Sequence, residues 1–169
     1  MRSNLDRLTA RQKFRRLIPW AALTLALDLT AKWLVLRELE LYEVRPVTSF
    51  FNLVLVENKG AAFSLLSGDG DWQGLKMALL AGVAMIPLGY FFASAEKLSA
   101  VSALGLILGG ALGNVHDRLS HNGVVDILDF HLYGRHWPAF NLADAAIVAG
   151  VAALLWVAFR EGRGSKVKS

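Results

Sequence analysis

No cysteine occurs in the 169 residues, which excludes disulfides, thiolate metal sites and cysteine nucleophiles and leaves the redox compartment undetermined. Any chemistry falls to Asp, Glu, His, Ser, Thr, Tyr, Lys or Arg. Charge is missing from long stretches too: residues 77–95 and 98–115 contain no Asp, Glu, Lys or Arg. There is no HExxH pair, no internal repeat, no low-complexity segment and no domain boundary.

What the chain does have is apolar surface. Hydrophobic residues make up 54% of it and charged residues 19%, a balance that points to a membrane protein. The net charge of +4 comes from basic residues beside apolar blocks, without the interleaved aromatics of a nucleic-acid surface. Anionic lipid headgroups account for them, and no nucleic-acid partner is expected.

A membrane-spanning helix needs roughly 20 apolar residues, because each residue advances about 1.5 Å. Four stretches qualify: 17–36, 77–95, 98–115 and 142–159. Each is expected to be helical, since a helix satisfies its backbone amides within its own segment. Arg2, Arg7, Arg11, Lys13, Arg15 and Arg16 precede the first, Lys97 lies between the second and third, and Arg160, Arg163, Lys166 and Lys168 follow the fourth. These groups share one side of a four-span topology, which predicts both termini in the cytoplasm (N-in/C-in). Asp28 and Lys32 interrupt the first apolar core, which argues against a cleaved secretory signal.

The outer loops are then 37–76 and 116–141, within a single membrane domain spanning 1–169. The first contains SFFNLVLVENKGAAFSLL with turn signals at Asn58-Lys59-Gly60, and reads as a short sheet at the membrane surface. The second carries Tyr133, Trp137 and Phe140, residues suited to the interface. Gly105, Gly109 and Gly113 in the third span form a doubled small-xxx-small spacing, first of all a packing signal.

Asp144 is the one charged residue in the run from Phe140 to Phe159. Span four enters from the outer side, so Asp144 lies near the outer interface, at the level of Asp126 in GVVDILDF. Asp144 has an ordinary explanation as the acidic residue of a capping box begun by Asn141. Asp126 follows two valines, where an idle charge is costly; Asp129 is read as a solvated or structural neighbour. Two adjacent carboxyls do not readily both ionise, so one keeps a proton while the other acts as a base. Such a pair activates water and protonates a leaving amine, the chemistry of aspartic peptide hydrolysis.

Five blocks in order, DLTAK (28–32), NKGAAF (58–63), GGALGNVHDR (109–118), GVVDILDF (123–130) and FNLAD (140–144), resemble the lipoprotein signal peptidases (signal peptidase II). The resemblance implies an aspartic endopeptidase of the bacterial inner membrane. Such an enzyme removes the signal peptide of prolipoproteins on the amino side of the diacylglyceryl-modified cysteine. It further implies that Asp126 and Asp144 form the catalytic dyad near the periplasmic face, and that a small sheet and a short helical segment cradle the outer surface. Asn58, Gly60, Asn114, Arg118 and Asn141 read as substrate-binding or supporting residues, and Asp28 with Lys32 as a structural polar pair at i and i+4. No metal or cofactor is expected; the partners are prolipoproteins and membrane lipids, and the chain is expected to be a monomer.

Three other readings compete. A proton-coupled carrier would use buried acids, but no inverted repeat or pair of broken helices accompanies them. A metal enzyme would draw on His116, His121, His131 and His136, whose five-residue spacing within each pair is wrong for one helical face. A scaffold would leave Asp144 as a cap alone.

Overall fold

The computed structural model describes residues 8–59, 86–121 and 123–166. Helix α1 (Ala10–Glu38) opens with a capping box in which Thr9 and Gln12 satisfy each other's backbone amides. Strands β1 (Val44–Pro46) and β2 (Phe51–Asn58) follow, then a described helical stretch α2 at residues 86–94. Helix α3 (Leu98–Ser120), strands β3 (Val124–Leu132) and β4 (Arg135–His136), and helix α4 (Leu142–Lys166) complete the chain. Among the described residues, three helices are long and apolar enough to cross a membrane: α1, α3 and Leu142–Arg160 of α4. Most of the expected second span, Gly60, and the part of the first outer loop expected to hold a short helical segment lie outside the described residues.

Small residues bring the helices together. A methyl group on Gly105 would stand 2.7 Å from Trp20 Cβ, and one on Gly109 would run into the Ala21 carbonyl oxygen and Thr24 Cβ. The α3 stripe therefore lies directly against the buried α1 stripe Leu17, Ala21, Thr24, Asp28 and Lys32. Gly110 does the same for Ala143 of α4, and Gly150 of α4 for Ala103 of α3. At the other end of the helices, Lys13 donates to the Phe92 and Ala93 carbonyls at 3.0 and 2.6 Å. These are carbonyls in the last turn of α2, where intrahelical amides run out; the Phe92 carbonyl also accepts the Ala95 amide at 3.4 Å.

The sheet draws on both of the loops expected to lie outside. Its order is β1-β2-β3-β4, antiparallel throughout, and β2 pairs with β3 from Phe51↔Phe130 to Asn58↔Val124 across an irregularity between Leu53 and Val56. The sequence predicts a sheet in the first loop alone; half of it comes from the second, where VVDILDFHL is a nine-residue strand. Tyr133 and Gly134 both have positive φ (50° and 74°), the left-handed pair that closes a two-residue hairpin between β3 and β4. Leu55, Val125 and Ile127 of the sheet pack on Val35 and Leu39, which fixes β3 over the end of α1.

Candidate active site

Side chains alternate along a strand, so Val125 and Ile127 face the core beneath the sheet while Asp126 between them faces the opposite way. Asp126 is 2% exposed. The same alternation separates Asp129, three positions on, from that face. Asp129 accepts from Asn52 Nδ2 at 2.7 Å and meets His136 Nδ1 at 2.9 Å. Burial acts to raise its pKa, but the hydrogen bonds from Asn52 and His136 outweigh burial and hold the carboxyl below its ordinary value.

The chain returns to β3 just before α4. Phe140 bridges Leu128, exchanging hydrogen bonds of 2.9 and 3.1 Å, and its carbonyl also accepts from the Ile127 amide at 3.0 Å. Asn141, the next residue, is thereby held beside Asp126 and is fully buried. Its Oδ1 accepts the Asp144 amide at 2.9 Å, the capping bond expected of it. Its Nδ2 donates to Asp126 Oδ1 at 3.0 Å, to Asn114 Oδ1 at 3.2 Å and to the Val125 carbonyl at 3.3 Å. One asparagine thus touches both aspartates.

Asn114 of α3 provides the second link. Its Nδ2 donates to Asp144 Oδ1 at 2.7 Å, so the Asp144 carboxylate faces a neighbouring helix. Asn58, at the end of β2, donates to Asp126 Oδ2 at 3.0 Å. Arg118 gives a hydrogen bond of 2.9 Å to the Asn114 carbonyl one turn back, and so steadies Asn114. Burial above all, with a contribution from the Asp144 charge, pushes the Asp126 carboxyl up to about 6 against the opposing pull of Asn58, Asn141 and Lys32. A half-exposed carboxylate at a helix start and a buried carboxyl that resists ionisation meet in one polar lattice.

Asp28 and Lys32 form the expected pair, with Lys32 Nζ 2.7 Å from Asp28 Oδ2. Sequence reasoning missed the third member. Asp117, 1% exposed, lies 2.7 Å from the same Nζ. A signal was available, because Asp117 continues the four-residue spacing of Gly105, Gly109 and Gly113 and must share their buried face. The histidines do not gather in one place: His116, half-exposed, has Nδ1 3.7 Å from Asp117 Oδ1, and His131 stacks on His136 with ring centres 4.9 Å apart at the β3–β4 hairpin.

Comparison with known proteins gives a consistent result. The family model for signal peptidase (SPase) II matches residues 20–160. A lipoprotein signal peptidase of Azoarcus sp. (strain BH72) is 44% identical over 160 residues, covering 90% of this chain and 89% of its own. One from Paraburkholderia phytofirmans (strain DSM 17436 / LMG 22146 / PsJN) is 45% identical over 155 residues, covering 89% and 90%. Among solved structures, a bacterial membrane enzyme determined in meso at 1.9 Å superposes with a TM-score of 0.74 at 26% identity, covering 90% of this chain and 94% of that one. A family model matching most of the chain, with relatives this similar along nearly their whole length, makes this protein a member of the signal peptidase II family.

Proposed function

We propose that the protein is an aspartic endopeptidase in which Asp126 and Asp144 hydrolyse the signal peptide from diacylglyceryl-modified prolipoproteins, on the amino side of the lipid-modified cysteine. The chain is a peptidase of the signal peptidase II family, and its relatives carry the name lipoprotein signal peptidase. The observation that carries the assignment of the dyad is Asn141, whose amide group bonds Asp126 on one side and the Asp144 backbone on the other.

The raised pKa of Asp126 favours it as the proton holder and leaves Asp144 as the base, although a coupled pair titrates as a unit. Asp144 takes a proton from water as its oxygen attacks the scissile carbonyl carbon, and Asp126 gives its proton to the carbonyl oxygen. When the resulting diol collapses, the carbon–nitrogen bond breaks. The proton on Asp144 passes to the leaving amine, and one diol hydroxyl returns a proton to Asp126. Asn58, Asn114, Arg118 and Asn141 hold the reacting carboxyls in place.

A groove of about 430 Å³ runs between α2, α3 and α4, lined by Leu88, Phe91, Ile107, Ala111, Ile147 and Leu154. Ala111 and Ile147 each lie three residues from Asn114 and Asp144, so one end of the groove comes within a helical turn of those two residues. An apolar signal helix suits it. In this reading the chain is one domain with four spans, both termini cytoplasmic, working as a monomer in the inner membrane with the dyad near the periplasmic face.

The test is cleavage of a diacylglyceryl-modified precursor by membranes containing the wild type, Asp126→Asn or Asp144→Asn. Each variant is expected to insert normally and to leave the precursor uncut. Processing by either variant at the wild-type rate would refute the dyad.

A further inference from the structure

Among the buried charges outside the proposed chemistry, three form one cluster: Asp28 and Lys32 on α1, and Asp117 on α3. Lys32 Nζ contacts both carboxylates at 2.7 Å, so one ammonium joins the two helices. Each carboxylate also holds a backbone amide on a third or fourth element. Asp117 Oδ2 accepts the Val125 amide at 3.0 Å, and Asp28 Oδ1 accepts the Ala143 amide at 2.9 Å. Val125 immediately precedes Asp126, and Ala143 immediately precedes Asp144. Val125 and Ala143 are themselves buried at 2% and 0% exposure, so neither amide has water as an alternative partner.

We propose that Asp28, Lys32 and Asp117 are positioning residues for the peptidase reaction. The lysine fixes the separation of two carboxylates, and each carboxylate fixes the backbone one residue before a member of the dyad. The inference rests on Asp126 and Asp144 being that dyad. The arrangement answers a problem of construction, because Asp126 stands on a strand and Asp144 on a helix, and the backbone bonds that join β3 to the chain entering α4 stop at Phe140, four residues before Asp144. Gly113 belongs to the same device. A methyl group there would come 2.5 Å from Asp28 Oδ2, so glycine is what lets the Asp28 carboxylate enter between α3 and α4.

A role confined to folding would change how much protein is made and leave each folded molecule as active as before. A positioning role changes turnover, because misplacing reacting groups by about 1 Å costs up to about 10²-fold in rate. The experiment uses the full-length protein in nanodiscs with a diacylglyceryl-modified precursor, comparing wild type, Asp117→Asn and the charge-conserving Asp117→Glu. Folded enzyme is quantified by its thermal unfolding transition, and kcat and KM are measured per folded molecule. Asp117→Glu keeps the charge facing Lys32 but carries the accepting oxygen one methylene further. Both variants are expected to lose between about 10-fold and 10²-fold in kcat, with KM within about twofold of wild type.

Unchanged kcat per folded molecule in either variant overturns the proposal, as does failure of both variants to accumulate, which would make Asp117 a folding residue only. Asp126→Asn and Asp144→Asn run alongside. If they cleave the precursor, the dyad itself falls; if they are inactive while Asp117→Glu keeps its kcat, the dyad stands and the positioning role falls.

Discussion

Replacing Asp126 by asparagine should abolish activity and at the same time stabilise the protein above pH 6 relative to acid. In the folded protein the carboxyl is pushed from 3.8 up to about 6, chiefly by burial. At 1.36 kcal/mol per pH unit, that rise corresponds to about 3 kcal/mol. A raised carboxyl pKa means that the folded state binds more protons than the unfolded state between the two values. The contribution of Asp126 is therefore fully present below 3.8 and lost as pH rises through about 6. Asparagine does not titrate and escapes that loss. It also places an NH2 group near Asn58 Nδ2 or Asn141 Nδ2, where the carboxylate oxygens accepted, at a cost of about 1–2 kcal/mol at every pH. The variant should be slightly less stable than wild type at pH 4 and slightly more stable at pH 8. For a chain of this length, about 2–4 °C per kcal/mol makes the swing in Tm difference about 6–12 °C. Differential scanning fluorimetry of both proteins in the same detergent, from pH 4 to pH 8, measures it, and the other carboxylates cancel in the comparison. A Tm difference that stays flat across that range would refute the reasoning.

Asn141→Ala removes the bond to Asp126 and the cap on the Asp144 amide together, so kcat should fall about 10²-fold while Tm falls by the equivalent of about 1–2 kcal/mol. Precursor cleavage and thermal unfolding measure the two losses separately. Gly109→Leu forces a side chain into the Ala21 carbonyl and Thr24, and should destabilise the α1–α3 contact by about 1–3 kcal/mol, read as a lowered Tm. The absence of native cysteine permits single-cysteine labelling without background. Lys97→Cys should react with an impermeant maleimide only when the cytoplasmic face is open, and Tyr133→Cys, at a position 97% exposed, should react from outside on intact spheroplasts.

The lattice around Asp126 and Asp144 was legible because each member lies in a short block whose residue types belong to one chemistry: Asn58, Asn114 and Asn141 as amides, Asp126 and Asp144 as acids. The helices were legible because lipid imposes a length and a polarity that few other environments impose. The strand at Val124–Leu132 was not. Its partner, β2, lies some seventy residues earlier, so nothing local announces the pairing, and Asp126, Asp129 and His131 disguise its apolar alternation. Asp117 was hidden for a related reason. Between His116 and Arg118 it reads as one more charge at a helix end, and its burial follows only once the glycine stripe is extended one further step and Lys32 is found opposite.

A gradient along the helix axes connects these features. Where α1 and α3 meet through Gly105 and Gly109 the contact is dry and almost without polar groups. One or two turns further, glycine gives way to Asp117 and alanine to Asp28, and the same close approach now clamps an ammonium between carboxylates. Buried ions of this kind cost more in desolvation than they return in attraction unless their remaining lone pairs are satisfied, and here those lone pairs accept the backbone amides of β3 and α4. Beside that cluster stand Asn114 and Asn141, neutral and rich in donors, bonded to Asp144 and Asp126 respectively. Gly105, Gly109 and Gly113 lead along α3 to the cluster, so the tight glycine contact between helices is where the placement of Asp126 and Asp144 begins. That ordering makes Gly113 the junction of packing and electrostatics: Gly113→Ala adds a single methyl group, yet it should disturb turnover more than Gly109→Ala does, since only the former presses on Asp28.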